Sequence, residues 1–137
     1  MAVLFINGSP NKDGNTVQLA SRVLENQDYE TLHLVDYKIY AFGQSYPDDE
    51  FDQVMERVYQ ADTIVIGSPV YWHSLNGLVR NFLERQYGIV EDQLIGKQLI
   101  FLLQGAAPTQ KVLEMGEYIM IRYAAVYGME YQGMFSQ

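Results

Sequence analysis

The apolar residues of this chain fall into two kinds of pattern. Ala2–Ile6, Thr63–Ile66 and Leu99–Leu103 are short runs that are nearly continuous in apolar residues, as in parallel strands covered on both faces. Thr31–Val35 alternates between apolar and polar positions, which is typical of a strand at a sheet edge, and a weaker run follows near Met129–Met134. The pattern therefore predicts five strands.

Between these strands the apolar residues recur with the period of a helix. The first helix is predicted over Thr16–Leu24, and the spacing i, i+3, i+4, i+7 recurs within 51–58, 75–82 and, less regularly, 112–123. The acidic run 48–50 is predicted to form the charged first turn of the second helix. Alternating strands and helices indicate an α/β fold of three αβα layers, a single domain over residues 1–137, whose five parallel strands take the order 2-1-3-4-5.

Three polar or aromatic loops should meet at one edge of that sheet. In this strand order, ligands bind beyond the carboxyl ends of predicted strands 1 and 3, where the winding reverses. The segments that follow those strands are Asn7–Asn15 and Ser68–Ser74, and Gln104–Pro108 follows the neighbouring predicted strand 4. We therefore expect a binding site formed by these three segments.

The first of these segments, within NGSPNKDGNT, has the composition of an anion-binding loop. Gly8 and Gly14 let the main chain curl, and the N-terminus of the following helix offers N–H groups and a favourable dipole. Asn15 or Thr16 is also suited to cap that helix. The spacing of the glycines is one residue too long for a mononucleotide P-loop, and Asn15 stands where that motif has lysine. The alternative interpretation is a polar loop that only caps the helix.

The second segment, SPVYWHS, carries the aromatic pair Tyr71 and Trp72 towards the same edge. Flat aromatic groups beside an anion-binding loop suit a ligand with a planar ring at one end and a phosphate at the other. The alternative is that these two side chains only cover the core. The two loops together, at neighbouring strand ends, favour the ligand.

Composition narrows the classes of protein further. A chain of 137 residues with 48% hydrophobic and 19% charged residues can bury a core of two or three layers. It contains no cysteine and two histidines, which excludes disulfides, thiolate catalysis and cysteine-bound metals and argues against a histidine-rich metal site. The net charge of −8 argues against a nucleic-acid partner. With no apolar run near 20 residues and no signal-peptide pattern, we expect a cytoplasmic protein without a membrane partner.

The segments GSPNKDGNT and SPVYWHSLNGLVRNFLER resemble the NADPH-dependent FMN reductase and NAD(P)H-quinone oxidoreductase family, whose fold is flavodoxin-like. The resemblance implies bound FMN and NAD(P)H as co-substrate. It implies hydride transfer through the flavin to a small acceptor, such as a quinone, a nitro or azo compound, or free flavin. No catalytic side chain is required, and no metal is implied.

The same resemblance assigns residues to the two ends of FMN. The phosphate falls to Ser9, Asn15 and Thr16, with Asn11 where the family usually has arginine and Lys12 as a possible substitute for its charge. The ring falls to Pro69, Val70, Tyr71, Trp72, Gln104, Gly105 and Ala106, and main-chain N–H groups of 104–106 are expected near the flavin N1–C2 carbonyl. Tyr71 and His73 are candidate substrate contacts, and His73 is equally well explained as a solvent-facing loop residue.

Two departures from the family qualify this assignment. The segment after predicted strand 2 has no cysteines for an iron–sulfur cluster. The sequence ends shortly after predicted strand 5, where family members usually add a helix, so we expect apolar surface over strands 3 to 5 to be exposed and a homodimer or larger assembly to bury it. Two alternatives stay open: a degenerate member with weak or no flavin binding and a role in assembly or regulation, and an FMN electron carrier.

Overall fold

Five strands form one parallel sheet in the computed structural model, which describes residues 2–137. They are β1 (Val3–Asn7), β2 (Glu30–His33), β3 (Thr63–Tyr71), β5 (Gln98–Gln104) and β6 (Glu130–Ser136), and a short β4 (Ser74–Leu75) pairs antiparallel with the end of β3. The order along the sheet is β2-β1-β3-β5-β6. This confirms the predicted order, since β5 and β6 are the predicted strands 4 and 5.

Four α-helices connect the strands: α1 (Asn15–Val23), α2 (Phe51–Gln60), α3 (Gly77–Arg85) and α4 (Gln110–Tyr127). The side chains of Asn76 and Thr109 accept hydrogen bonds from the first turns of α3 and α4, which defines where these two helices begin. A left-handed glycine, Gly128 at φ 72°, ends α4. Within residues 2–137, none of the helices combines the length and the hydropathy needed to cross a membrane.

The sheet is covered on both faces, as its continuous apolar strands require. On one face, Leu19 and Ala20 of α1 and Leu24, which follows the helix, pack against Phe5, Val65 and Leu102. The larger cluster on the other face includes apolar residues of α2, α3 and α4. Because α1 reaches as far as β5, Val65 and Leu102 are fully buried. The exposed apolar surface expected over strands 3 to 5 is therefore smaller than predicted, with half-buried Ile100 and exposed Phe135 at its β6 side.

Several predicted element boundaries were wrong. β3 does not end at Ile66 but continues to Tyr71, because β5 pairs with it as far as Pro69 opposite Gln104. Leu75 consequently lies in β4 and not in the third helix. β2 ends at His33, and Leu34–Asp36 forms a 3-10 helix in place of the predicted continuation of the strand.

The acidic run lies before α2 rather than in its first turn, because its side chains bond to neighbouring segments. Asp49 accepts a hydrogen bond from Phe51 N at 2.8 Å and forms an ion pair with Arg85 at 2.5 Å. The Arg85 guanidinium lowers the pKa of Asp49 below its ordinary value, with the main-chain hydrogen bonds of Phe51 and Tyr40 acting in the same direction. The run therefore holds the irregular segment 37–50 against α3.

Candidate functional site

Loop 1 (residues 8–14), which joins β1 to α1, is shaped by the buried side chain of Asn7. Asn7 Oδ1 accepts a hydrogen bond from Ser9 N at 3.0 Å, and Asn7 Nδ2 donates to Asn11 O at 3.2 Å. Ser9 Oγ in turn accepts from Asn11 N at 3.1 Å. These bonds fold the chain around Pro10 and direct residues 11–14 back over the start of α1.

Loop 1 is also tied to the neighbouring strand. Gly8 N donates to Gly67 O at 2.8 Å, and Asn76 Nδ2 donates to Gly8 O at 2.6 Å. A Cβ at Gly8 would lie 2.7 Å from Gly67 O and 2.2 Å from Val79 Cγ2, so only glycine fits this contact. Asn76 is anchored further by a bond from its N–H to Ser68 Oγ at 3.1 Å. The first two predicted segments therefore meet, as expected.

The N-terminus of α1 lacks a side-chain cap. Its N-cap residue is Gly14, so the prediction that Asn15 or Thr16 would cap the helix was wrong, and these residues are instead the first two of the helix. Within residues 2–137, the main-chain N–H groups of Asn15, Thr16 and Val17 bond to no acceptor. These are helix N-terminal donors of the kind that bind anions.

The side chains predicted to bind phosphate differ in how they face that N-terminus. Asn15 is exposed, whereas Thr16 is buried with its Cγ2 against Gly67, where a Cβ would come within 2.8 Å of it. Lys12 pairs with Asp36 of the 3-10 helix at 2.5 Å between Nζ and Oδ1. In this arrangement the positive charge of Lys12 is directed at a carboxylate.

The predicted loop 68–74 (loop 2) is a β-hairpin whose tip consists of Trp72 and His73. Tyr71 pairs with Ser74, so the hairpin loop has two residues, with φ angles of 50° and 66°. Positive φ at both positions is the requirement of a type I′ turn, which favours Asn-Gly and is strained for bulky side chains. Trp72 is 92% exposed, so its own packing does not compensate for this strain.

A cavity of about 370 Å³ lies between this hairpin and loop 3 (residues 105–109). Its walls are Val70, Trp72, His73, residues 105–109 and Val112. The volume lies in the range of small-molecule sites. Gly105 N already donates to Gln137 O at 3.1 Å, whereas Ala106 N has no acceptor within residues 2–137.

The structure thus places the predicted residues in two groups. One group surrounds the start of α1, and the other lines or borders the cavity. The first contains Ser9, Asn11, Asn15 and Thr16, with Lys12 at its side; the second contains Val70, Trp72, His73, Gly105 and Ala106, with exposed Tyr71, buried Pro69 and half-buried Gln104 in the adjoining strands.

Sequence reasoning missed the residues that hold the loops in place. Asn7, Ser68 and Asn76 are each at most 3% exposed, and their bonds join loop 1, β3 and α3. A polar residue within or directly after an apolar run was the available signal, since buried polar groups need partners. Their partners lie up to 68 residues away along the chain, where sequence patterns give no indication of them.

The fold and these loops define a flavodoxin-like α/β protein with an uncapped helix N-terminus and a cavity of small-molecule size at the carboxyl edge of its sheet. The chain belongs to the NADPH-dependent FMN reductase family, whose model matches residues 1–128. This confirms the family that the two loop motifs indicated.

Individual relatives agree with this family. An iron–sulfur flavoprotein of Archaeoglobus fulgidus is 36% identical over 98 residues, which cover 62% of this chain and 48% of that protein. A Bacillus subtilis protein named as an NAD(P)H-dependent FMN-containing oxidoreductase, YwqN, is 30% identical over 93 residues, covering 62% of this chain and 51% of its own. The chain therefore spans about half the length of these curated relatives.

A solved structure supports the fold alone. The Trp repressor binding protein from Bacillus subtilis superposes with a TM-score of 0.82 at 20% identity, over 98% of this chain and 82% of that one. The Archaeoglobus fulgidus relative is named as an iron–sulfur flavoprotein, but this sequence has no cysteine that could ligate an iron–sulfur cluster.

Proposed function

We propose that this chain binds FMN at the carboxyl edge of its sheet and passes hydride from NAD(P)H to a small acceptor such as a quinone, a nitro or azo compound, or free flavin. The observation that carries the proposal is the pairing of an uncapped helix N-terminus with an adjacent cavity. Gly67, bonded to loop 1, and Val70, on the cavity wall, are three residues apart in β3, or roughly 10 Å along an extended strand. The ribityl chain of FMN has a comparable length.

The donors at the start of α1 fit a phosphate. The N–H groups of Asn15, Thr16 and Val17 have no other partner within residues 2–137, and the α1 dipole favours a negative charge at this end. A Cβ at Gly14 would lie 3.0 Å from Asn11 Cβ, so the glycine keeps the loop open over these N–H groups. Asn15, exposed at the first helical position, can add its side-chain amide.

The cavity fits the flavin ring. Val70, Pro108 and Val112 give it apolar walls, and the free Ala106 N–H is the donor we assign to the N1–C2 carbonyl side of the ring. The Gly105 N–H cannot bond to the flavin in the same way, because it already donates to Gln137 O. Trp72 and His73 form the outer wall, where a nicotinamide or a planar acceptor would lie.

Bound FMN supplies the hydride chemistry, while the protein supplies position and electrostatics. The hairpin and loop 3 orient the ring, and the N–H groups of α1 fix its phosphate end. The proposal names the acceptor only as a class of small molecules, and it does not distinguish NADH from NADPH as the hydride donor. As the sequence leads us to expect, we also propose that the protein is cytoplasmic.

A substitution that removes one main-chain donor tests the phosphate assignment. Proline is tolerated at the first position of a helix, and extended Gly14, with φ −99° and ψ −163°, is compatible with a following proline. Asn15→Pro deletes the N–H and the side chain, whereas Asn15→Ala deletes the side chain alone. We expect Asn15→Pro to weaken FMN binding by about tenfold or more relative to Asn15→Ala, the effect of one charge-assisted hydrogen bond.

Gln18→Ala, one turn further along the exposed side of α1, is the matched control and should bind FMN like the wild type. Equal FMN affinity of the Pro and Ala variants would refute the phosphate assignment. With FMN bound, NADH or NADPH oxidation coupled to quinone reduction tests the reaction. A chain that binds no FMN would favour the flavin-free alternative.

We also propose that the chain forms a homodimer. The proposal is supported by apolar side chains on the outer face of α4: Met115, Tyr118, Ile121 and Val126 are each 44 to 63% exposed. Glu114 and Arg122 flank Tyr118 at equal spacing, so an antiparallel α4 of a second copy would bring opposite charges together. Sedimentation at micromolar concentration should show a dimer that Tyr118→Glu dissociates, and a wild-type monomer would contradict the proposal.

A further inference from the structure

The side-chain amide of Asn7 can adopt only one orientation. Asn7 is fully buried, and its Oδ1 accepts from Ser9 N, which is a donor only. Its Nδ2 donates to Asn11 O, which is an acceptor only. Rotating the amide by half a turn would oppose two donors at Ser9 and two acceptors at Asn11.

This orientation determines the protonation of His33. The second hydrogen of Asn7 Nδ2 is directed at His33 Nδ1, 3.0 Å away across the β1–β2 pair. Because Nδ2 can only donate, Nδ1 must accept, and the ring must carry its proton on Nε2. A protonated imidazole has N–H groups at both positions and would place a donor against the Asn7 donor.

We propose that His33 is a positioning residue for loop 1, which holds the anion-binding arrangement through Asn7 only while its imidazole is neutral. The proposal rests on the FMN function proposed above, because the consequence of a loosened loop 1 is weaker binding of the phosphate. Asn7 bonds to both sides of Pro10, so a change at its Nδ2 reaches the turn that directs the chain over the start of α1.

The other charged groups around His33 do not provide a comparable link. Lys12 and Asp13 lie in loop 1, and Lys12 is paired with Asp36 of the 3-10 helix that follows His33. The helix on this face of the sheet, α1, has Arg22 as its one charged residue, in its last turn. Of the side chains around loop 1 that can carry a charge, His33 is the one that bonds to Asn7.

The first test examines the free protein. Nitrogen-15 NMR of the two histidines at pH 8 should show His33 with an unprotonated Nδ1 and a protonated Nε2. A protonated Nδ1 at this pH would overturn the proposal. This measurement does not depend on FMN or on activity.

The second test compares FMN affinity at pH 8 and pH 5.5 in wild type and His33→Asn. Asparagine offers an acceptor at the same δ position but does not titrate. The titration of the FMN phosphate affects both proteins equally, so it cancels in the ratio of their dissociation constants. We expect this ratio, wild type over His33→Asn, to rise about five- to tenfold at pH 5.5, the effect of one lost hydrogen bond.

His33→Leu, which has no acceptor, should weaken FMN binding about equally at both pH values. A ratio that stays constant with pH, or one that falls because a charged His33 attracts the phosphate, would overturn the role of His33 while the proposed function stands. If neither wild type nor His33→Asn binds FMN at pH 8, the proposed function fails and this role fails with it.

Discussion

Replacing Trp72–His73 by Asn-Gly should make the protein more stable and should weaken the proposed NAD(P)H oxidation. Both residues of the hairpin tip have positive φ, and a left-handed conformation costs a non-glycine residue about 1–2 kcal/mol. Asparagine and glycine are the residues that a type I′ turn prefers. Glycine lowers the free energy of unfolding by about 0.5–1 kcal/mol, because it increases the conformational entropy of the unfolded chain. Since Trp72 is 92% exposed, little packing is lost with it.

The net gain in the free energy of unfolding is therefore about 1–2 kcal/mol. With an unfolding entropy of about 2.1 cal/mol/K per residue, a chain of this length should gain roughly 3 to 7 °C in Tm. The assays are calorimetry and NAD(P)H oxidation with FMN and a quinone, where we expect lower kcat/KM because the outer wall of the cavity is gone. Tyr87→Asn, which removes another exposed aromatic ring together with its edge contact to Phe42, is the control and should not increase the free energy of unfolding. An unchanged or lower Tm of the double variant would refute the strain argument.

Three further substitutions test the supports of the site. Gly8→Ala should lower Tm and abolish FMN binding because its methyl group would lie 2.2 Å from a side chain of α3, whereas Gly77→Ala, with nothing within 4 Å, should be neutral in both assays. Asn76→Asp keeps the acceptor that caps α3 but loses the donor to Gly8 O, so FMN affinity should fall about fivefold or more in a fluorescence titration. Arg85→Ala should cost about 2–3 kcal/mol in urea unfolding at pH 7, because it leaves Asp49 unpaired. That cost should shrink below about pH 4, because Asp49 has a lowered pKa in the folded wild type and its stabilisation is lost as it becomes protonated.

The strands were predictable because burial on both faces demands continuous apolar runs. Leu99–Leu103 lies within β5, and 63–66 forms the first part of β3. The end of β3 was not predictable, because Ser68 and Pro69 look like a strand terminator in sequence. Pairing with β5 carries the strand through them.

The hairpin escaped prediction for a related reason. Its tip carries Trp72 and His73, where pattern rules expect asparagine and glycine, so no turn signal was present. The anchors of loop 1 depend on distant partners: Asn7 meets His33 across 26 residues, and Asn76 meets Gly8 across 68. Such contacts follow from the assembled sheet and not from local sequence.

The central claim is that the start of α1 and loop 1 hold the phosphate of FMN. Titration of the purified chain with FMN and with riboflavin, which lacks the phosphate, tests it by the quenching of flavin fluorescence. Two charge-assisted hydrogen bonds of about 1.5 kcal/mol each correspond to roughly 100-fold in affinity. We predict that FMN binds more tightly than riboflavin by about this factor, and equal affinities or no binding of either flavin would contradict the account.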